Sequence, residues 1–363
     1  MDARDRTLTA IKHGTPDRIP IDFWASNGFR RKLESRLGVS REAVMGDWGV
    51  DIEYIPGPEY IGPPLDSRVG RRTDIWGVPR VMVTVELNGG SETYEEVAAS
   101  PLATAQTAGD VLGYQRWPSP DWFDYSDIER QCDDVLKRRR AVAFMGDRLN
   151  RVAQLKPAMY LRGIEAILVD MAVNPEIAEA IFMRITEFYL AYLERILDAS
   201  RGKIDIVVTG DDFGTQQNLL VSTLMWDRYL RDGFARYLSL AREGGAKTMH
   251  HTCGAVTELI PRMIDCGLDV LQSLQPEARG MRPAELKRDF GERLAFQGGV
   301  SIQRTMPFGT REEIRAEVKE LAEAMGKRGG YIFCTSHNIQ ADAPVENVQE
   351  LMRAYLDYGR YGG

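Results

Sequence analysis

The stretch PEIAEAIFMRITEFYLAYLERILDASRGKIDIVVTG, residues 175–210, joins a helical pattern to a strand pattern. In its first part, large apolar side chains recur every three or four positions, which predicts a helix with one buried face. The stretch ends in IDIVVTG (204–210), a β-branched run with the length of a buried strand. A helix followed by such a strand is typical of the β-α units that build a parallel sheet. The predicted buried face consists of Ile177, Ile181, Ile185, Tyr189, Tyr192 and Ile196.

Apolar or β-branched runs of this kind alternate with longer helical patterns along the whole chain. Eight of them predict an α/β protein with a (β/α)8 TIM barrel, in which the chemistry takes place at the C-terminal ends of the strands. The clearest helix precedes the last run: Thr310 and Glu313 form a capping box at its start, and Gly329-Gly330 end it. The eight runs are IPIDFW (19–24), VDIEYI (50–55), RAVAFMG (140–146), IDIVVTG (204–210), AKTMHHT (246–252), LDVLQSL (268–274), RLAFQGG (293–299) and GYIFCTS (330–336).

Two segments stand outside the repeated units. Residues 1–18 form an N-terminal extension before the first run. The segment 80–97, RVMVTVELNGGSETYEEV, predicts a β-hairpin that turns at Asn88-Gly89-Gly90-Ser91 and is inserted over or beside the barrel mouth. Because neither a repeat nor a low-complexity linker interrupts the chain, we expect residues 1–363 to form a single barrel domain.

Composition excludes several classes of protein. The chain has 363 residues, of which 44% are hydrophobic, and its 46 Lys+Arg against 53 Asp+Glu give a formal charge of −7. This balance argues against a nucleic-acid partner. No apolar run approaches the roughly 18 residues that a membrane span needs, and the first residues are too charged for a secretory signal, so we expect a cytoplasmic protein. Its four cysteines are then expected to be thiols.

The end of the fifth run carries the first candidate site. Positions two apart on a strand share a face, so His251 and Cys253 point the same way and His250 points the other way. Imidazole and thiolate are both suitable ligands for Zn²⁺. The end of the eighth run supplies two further candidates, Cys334 and His337, which must meet the first pair across the barrel mouth.

Other polar side chains fall near the same predicted rim. Each has an ordinary structural interpretation as a cap, a turn former or a hydrogen-bond partner, and they become informative only as a group. Aromatic residues at the ends of the first two runs could wall a pocket, although such residues more often serve packing. The polar residues are Asp22, Asp211, Asp212, Gln272, Gln275, Gln303 and Asn338, and the aromatic residues are Trp24 and Tyr54.

Several segments, in this order, resemble the uroporphyrinogen decarboxylase superfamily, particularly its zinc-dependent branch of corrinoid-linked methyltransferases. The resemblance runs nearly from end to end and implies a (β/α)8 barrel. Its methyltransferase branch implies a zinc ion bound by a His-x-Cys pair and a cysteine near the C-terminus. The segments are TPDRIPIDFW (15–24), GDDFGTQQNLLVS (210–222), HTCGAVTELIPRMIDCGLDVLQSLQP (251–276), FQGGVSIQRTMPFGTREEI (296–314) and GGYIFCTSHNIQADAPVENV (329–348).

The chain departs from this pattern at the last ligand. His251 and Cys253 match the His-x-Cys pair, but His337 occupies the position of the last cysteine, and the nearest thiol, Cys334, lies three residues earlier. A His/Cys/His set leaves one positive charge on a zinc site, whereas His/Cys/Cys neutralises it. The site should therefore be a stronger Lewis acid. The chain also lacks the N-terminal Arg-Gln-Ala-Gly-Arg segment with which the decarboxylases hold a tetrapyrrole, which disfavours that substrate.

The resemblance implies a zinc-dependent methyltransferase that moves a methyl group between a corrinoid, carried by a partner protein, and a small thiol or a methoxy, methylthio or methylamine substrate. His251, Cys253 and His337 would bind the metal, with a fourth position for substrate, water or Asp212. The alternative is a metal-independent decarboxylase or lyase for an acidic substrate, in which Asp22 or Asp212 stabilises protonation and His251 is a general acid. A non-catalytic binding protein and a homodimer are further hypotheses. Substrate contacts are expected from Trp24, Tyr54, Asp22, Asp211, Gln272, Gln275 and Asn338.

Overall fold

The computed structural model describes residues 1–38, 40–68, 71–146 and 151–361. The strands are β1 (Ile52–Ile55), β2 (Glu59–Tyr60), β3 (Ser67–Arg68), β4 (Arg71–Thr73), β5 (Pro79–Leu87), β6 (Gly90–Val97), β7 (Phe123–Asp124), β8 (Ala141–Phe144), β9 (Ile206–Gly210), β10 (Lys247–His251), β11 (Val270–Leu274), β12 (Ala295–Val300) and β13 (Tyr331–Thr335).

Helices precede, separate and follow the strands. The α-helices are α1 (Ala3–Ile11), α2 (Asn27–Leu37), α3 (Arg41–Asp47), α4 (Ala108–Leu112), α5 (Ile128–Lys137), α6 (Leu155–Arg162), α7 (Ile164–Val173), α8 (Pro175–Ser200), α9 (Thr223–Tyr229), α10 (Arg231–Glu243), α11 (Ile260–Asp265), α12 (Pro283–Phe290), α13 (Thr305–Phe308), α14 (Arg311–Met325) and α15 (Val345–Tyr358). Short 3₁₀ turns cover Pro120–Trp122 and Thr257–Leu259. In the part of the chain that the structure describes, none of the helices combines the length and the apolar character needed to cross a bilayer.

A parallel sheet forms the centre of the molecule. Its strand order is β1-β8-β9-β10-β11-β12-β13, and each neighbouring pair is parallel. Strands β8 to β13 are buried at nearly every position, as expected when helices cover the outer face of a parallel sheet. The seven strands of the sheet, β1 and β8 to β13, coincide with seven of the eight predicted runs.

The remaining run, 19–24, closes the ring as an irregular segment. Ile21 forms a parallel bridge to Phe333 in β13, and its carbonyl accepts a hydrogen bond from the Asp51 N–H, next to β1, at 2.9 Å. The prediction of a regular strand here is wrong, because Pro20 has no N–H to donate to a ladder. The eight-part barrel that the sequence predicts is confirmed, with seven strands and one bridging segment.

The N-terminal extension covers the lower end of the barrel. Ile11 of α1 packs into the cluster of apolar side chains that fills the barrel interior. On the same helix, Arg6 donates to Asp51 at 2.7 Å, and Asp51 is fully buried next to β1. The remaining interior members of the cluster are Ile52, Ala141, Ala143, Ile206, Val208, Met249, Val270, Ala295 and Ile332.

The predicted hairpin over 80–97 is confirmed. Strands β5 and β6 pair in antiparallel register around the two-residue turn Asn88-Gly89, which is the tightest hairpin connection. They belong to a four-stranded antiparallel sheet, β3-β4-β5-β6, which the sequence did not reveal. Glu92 attaches the hairpin to the barrel: its carboxylate accepts hydrogen bonds from the Ser26 hydroxyl, from the Gly28 N–H and, at 2.9 Å, from the Ala341 N–H.

Two helix predictions can be compared directly. Every residue of the predicted apolar face of α8 is at most 2% exposed. Helix α14 begins with the predicted capping box of Thr310 and Glu313, but it ends at Met325 with Gly326 as its cap. The predicted end at Gly329-Gly330 was therefore four residues late. The two later glycines instead adopt left-handed conformations in the loop before β13.

Candidate metal centre

Strand β10 delivers two donor side chains to the barrel mouth. His251 is the last residue of β10 and is 2% exposed, and Cys253 follows in the loop. The left-handed conformation of Gly254 turns the chain there, where a Cβ atom would lie 2.5 Å from the backbone of Gly214. The His251 Nε2 and Cys253 Sγ atoms are 3.6 Å apart. As predicted, His250 faces the opposite side, where its Nδ1 lies 2.8 Å from the Thr209 hydroxyl.

His337, in the loop after β13, completes a group of three donors. Its ring centroid lies 5.4 Å from that of His251, although β10 and β13 are separated by two strands. One donor atom from each of His251, Cys253 and His337 lies within 4.8 Å of the other two. Cys334 does not belong to this group within the described residues; it is 3% exposed within β13.

The spacing of these donors can be compared with what zinc requires. Tetrahedral zinc with bonds of about 2.0–2.3 Å places its nitrogen and sulfur ligands about 3.3–3.8 Å from one another. The His251–Cys253 separation of 3.6 Å falls within this range, and the upper limit of 4.8 Å for the whole group needs only a small contraction. Two imidazoles and one thiol therefore fit a zinc ion in number, type and spacing.

The protonation of the donors follows from their burial. Burial lowers the pKa of His251, assisted by the nearby Arg151 cation, and burial lowers the pKa of His337. Both rings are therefore neutral at pH 7 and can present a lone pair to a metal. Burial and the neighbouring Asp212 carboxylate raise the pKa of Cys253 to about 12, so its thiol keeps its proton until a cation displaces it.

Asp212 lies beside the donors and is paired with a lysine. Its Oδ1 accepts a hydrogen bond from the Cys253 N–H at 3.0 Å and lies 3.8 Å from His251 Nε2, while its Oδ2 lies 2.6 Å from Lys156 Nζ. Burial opposes ionisation, but the Lys156 cation and the hydrogen bond from the Cys253 N–H outweigh it and hold the pKa of Asp212 well below its usual range. An ionised carboxylate is thus available at the edge of the donor group.

Asp22 and Gln272 form a buried network beneath the donors. Gln272 Oε1 lies 3.1 Å from His251 Nδ1, and Gln272 Nε2 donates to Gln297 Oε1 at 2.6 Å. Gln297 Nε2 in turn donates to Asp22 Oδ2 at 2.5 Å. Tyr54 donates its hydroxyl to the same Asp22 oxygen at 2.6 Å. Asp22, Gln272 and Tyr54 therefore lie inside the barrel, on the inner side of the donor group.

Two other predicted substrate contacts hold the backbone instead. The Asp211 carboxylate accepts hydrogen bonds from the N–H groups of Gln154, Leu155 and Lys156 at 2.6–3.0 Å, which caps the start of α6. Gln275 Oε1 accepts from the Gly254 N–H at 3.1 Å and steadies the turn after Cys253. Both side chains are occupied by these contacts, and neither is among the described residues that line the adjoining cavity.

A cavity of about 630 Å³ opens above the donors, between the barrel mouth and the hairpin. Trp24 forms one wall, with its ring centroid 5.2 Å from that of His251 and 5.0 Å from that of His337. Asn338 also lines the cavity, and its side chain forms a hydrogen bond with His337 that raises the pKa of the ring against the effect of burial. Its role as a substrate contact stays a prediction.

Three site residues were missed by sequence reasoning. Gln297 could have been detected as an isolated polar residue in a buried apolar strand. The sequence analysis instead named Gln303, which follows the same run, as a rim residue. Lys156 lies in the first turn of α6, and the sequence of this helix gave no functional signal. Ser273 has a left-handed φ of 78° where the pairing of β11 with β12 shifts register. This bulge lets Ser273 approach the Cys253 sulfur at 3.6 Å while its neighbour Gln272 reaches His251.

The fold and the site define the class: a (β/α)8-barrel protein with a His/Cys/His donor group at the mouth of a substrate-sized cavity. Residues 153–358 match the uroporphyrinogen decarboxylase (URO-D) family. Because this match covers more than half of the chain, the protein belongs to that family.

The relatives that the chain matches include methyltransferases and decarboxylases. The methylcobamide:CoM methyltransferase MtaA of Methanosarcina barkeri is 25% identical over 173 residues, 48% of this chain and 47% of its own length. The uroporphyrinogen decarboxylase of Anaeromyxobacter dehalogenans is 23% identical over 202 residues, 54% of this chain and 53% of its own length. The alignments thus span about half of these relatives. The structure of a methyltransferase from Methanosarcina mazei covers 99% of both chains with a TM-score of 0.67 at 18% identity, which supports the fold.

Proposed function

We propose that this protein is a zinc-dependent methyltransferase that moves a methyl group between a corrinoid and a small thiol or methylated substrate. The observation that carries the proposal is the convergence of His251, Cys253 and His337 on one point at the floor of the cavity. The relatedness to methylcobamide:CoM methyltransferases supports the same chemistry. By the same argument, the corrinoid is carried by a separate protein that docks at the barrel mouth.

The donor set fits the metal that the proposal needs. Two neutral imidazoles and one thiolate leave a Zn²⁺ site with a net charge of one, and three protein ligands leave a coordination position open, as in catalytic zinc sites. A zinc ion held there would supply Lewis acidity that stabilises an anionic sulfur or oxygen at neutral pH.

The surrounding residues bind and orient the substrate. Trp24 packs against both histidine rings and presents an apolar wall, which suits a methyl or alkyl group. Asn338 lines the same cavity and offers its amide group to a polar group of the substrate. The Lys156–Asp212 pair places a cation and an ionised carboxylate beside the reacting atoms, where Asp212 can accept a hydrogen bond from an incoming thiol.

The decarboxylase alternative receives less support from the geometry. That hypothesis needs Asp22 or Asp212 in contact with substrate, but neither is among the described residues that line the cavity, and Asp22 is 4% exposed. The oxygens of Asp22 already accept hydrogen bonds from Phe23, Tyr54 and Gln297. We therefore favour methyl transfer, although the family includes uroporphyrinogen decarboxylases.

Methylcobalamin and 2-mercaptoethanol serve as probes for the proposed reaction. The thiol loses its proton, the sulfur–methyl bond forms as the cobalt–carbon bond breaks, and the bonding electron pair stays on cobalt, which changes the visible absorbance. We expect zinc-loaded protein to catalyse the transfer, chelator-treated protein to lose it and added zinc to restore it. Cys253→Ala should abolish it. Transfer that is indifferent to chelation, or absent from zinc-loaded protein in both directions, would contradict the proposal.

A further inference from the structure

A line of four buried polar side chains crosses the barrel interior below the donor group. It runs from His251 in β10 through Gln272 in β11 and Gln297 in β12 to Asp22 in the closing segment, so the first three members lie on neighbouring strands and the last step passes β13. Successive contacts measure 3.1, 2.6 and 2.5 Å. All four side chains are at most 4% exposed. Buried groups of this kind persist only when each finds a partner.

The Asp22 end of this line fixes the direction of its hydrogen bonds. A carboxylate only accepts, and Asp22 accepts from the Phe23 N–H at 2.8 Å and from the Tyr54 hydroxyl at 2.6 Å. Gln297 must therefore turn its NH₂ group toward Asp22 and its oxygen toward Gln272. Gln272 must then turn its own NH₂ toward Gln297 and its oxygen toward the Nδ1 atom of His251.

We propose that Asp22 and Gln297 are positioning residues that fix the tautomer of His251, with the proton on Nδ1 and the lone pair on Nε2. The inference rests on the proposed function for its purpose, since a zinc ligand must present a bare nitrogen. The hydrogen-bonded line from His251 to Asp22, called the relay below, is a property of the metal-free chain. Orienting hydrogen bonds to the second nitrogen of a metal-binding histidine fix both its tautomer and its ring position.

The surroundings of Nε2 explain why the tautomer of His251 matters for metal binding. Nε2 of His251 faces Cys253 Sγ at 3.6 Å and Asp212 Oδ1 at 3.8 Å. A proton on Nε2 would point into the space between the three donors and be attracted by that carboxylate. The relay therefore opposes the tautomer with the proton on Nε2, which the Asp212 carboxylate would otherwise favour.

The isosteric variant Asp22→Asn tests the relay. If the side-chain oxygen stays on the Phe23 N–H, the new NH₂ group replaces the oxygen that accepts from Gln297, and both glutamines must reverse. An aspartate-to-asparagine change beside a histidine can alter its tautomer while leaving the geometry intact. Tyr54→Phe is the matched control, because it removes another hydrogen bond to the same Asp22 oxygen without reversing the relay.

The readout is the tautomer itself, measured in metal-free, full-length protein labelled with ¹⁵N-histidine. Long-range proton–nitrogen correlations distinguish the two tautomers, and His251→Gln assigns the signals among the four histidines. We expect protonated Nδ1 in the wild type and Tyr54→Phe, and protonated Nε2 in Asp22→Asn. Gln297→Met, which interrupts the relay with a side chain of similar size, should give a mixture and serves if Asp22→Asn does not fold.

The outcomes separate this inference from the proposed function. Protonated Nε2 in the wild type, or an unchanged tautomer in the folded Asp22→Asn and Gln297→Met variants, would overturn the relay whatever metal the protein binds. Conversely, the expected tautomers in a protein that takes up no zinc would uphold the relay and refute the zinc enzyme. Where zinc does bind, we expect its affinity to fall about 10- to 100-fold in Asp22→Asn and to remain unchanged in Tyr54→Phe.

Discussion

Cys253 is the donor whose protonation controls metal binding. Burial and Asp212 raise its pKa to about 12, whereas burial lowers the pKa values of His251 and His337. At pH 7 the thiol is thus protonated and both rings are neutral. A metal must displace one proton, so its apparent affinity should rise about tenfold per pH unit above the histidine pKa values and below about pH 12.

The corresponding prediction is a count of protons. Titration calorimetry at pH 7.5 in buffers of different ionisation enthalpy should show about one proton released per zinc ion bound. In Cys253→Ala, where the residual histidines are already neutral, release should fall to near zero. Two or more protons in the wild type would show that a histidine enters the reaction charged, and none would show that Cys253 is not a ligand.

Asp211 provides a second test at the scale of a residue. Because its carboxylate accepts three backbone hydrogen bonds at the start of α6, we expect Asp211→Ala to leave those buried donors unsatisfied. The unfolding free energy should fall by about 1–3 kcal/mol, as measured by urea denaturation. Zinc affinity per folded molecule should change little. Unchanged stability with weakened substrate binding would restore Asp211 as a substrate contact.

Sequence reasoning found the donors because position along a strand determines where a side chain points. The alternation of side chains along a strand separates His251 from His250. The C-terminal ends of all barrel strands lie at the same mouth, so His337 could be assigned to the site without coordinates. Gln297 escaped because its role depends on Asp22, which lies 275 positions away along the chain. Asp211 and Asp212 could not be distinguished by sequence, since only the folded loop after β9 shows that one caps α6 and the other lies beside the donors.

At the scale of elements, the hairpin of β5 and β6 depends on a close approach to α2. A Cβ atom on Gly28 would lie 2.6 Å from both the Glu92 carboxylate and the Ser91 carbonyl oxygen. We expect Gly28→Ala to displace the hairpin from the mouth and to speed amide hydrogen exchange in β6, with a stability loss of about 1–3 kcal/mol. Gly46→Ala is the matched control, because its Cβ would meet nothing within 4 Å. Equal exchange in the two variants would show that Glu92 does not hold the hairpin.

The elements were predictable to different degrees. The hairpin carries its own turn signal, so its two strands were predictable from local chemistry, although the turn is Asn88-Gly89 and the other two predicted turn residues, Gly90 and Ser91, belong to β6. The outer strands β3 and β4 are short and polar and exist only as partners of that hairpin, and periodicity could not reveal them. The first barrel segment looks like a strand in composition, but Pro20 limits it to a bridge.

Closure of the barrel is a property of the whole molecule and depends on one buried carboxylate. Asp51 accepts hydrogen bonds from Arg6 at 2.7 Å, Arg18 at 2.6 Å and the Ile21 N–H at 2.8 Å. It thereby joins the N-terminal helix, the closing segment and the start of β1. The sequence order of these parts gave no hint of this connection, because the three partners lie 30 to 45 positions away along the chain.

We expect Asp51→Ala to destabilise the whole barrel. Two cations and a backbone donor would lose their acceptor, and breaking a buried ion pair costs about 3–5 kcal/mol. Thermal unfolding followed by circular dichroism should show a lower midpoint. Asp205→Ala, which removes the partly exposed pair with Arg4, should have a smaller effect and serves as comparison. A larger loss at Asp205 would show that closure does not depend on Asp51.

The proposed activity depends on whether His251, Cys253 and His337 bind zinc. The most direct measurement is the zinc content of untagged, full-length protein by elemental mass spectrometry, for the wild type, His251→Ala and His337→Ala. His13→Asn serves as a control, because His13 lies in the N-terminal region and asparagine tolerates its left-handed conformation. We predict about one zinc per chain in the wild type and in His13→Asn, and a large loss in both site variants. A wild-type protein that holds no zinc and takes up none when it is offered would contradict the account.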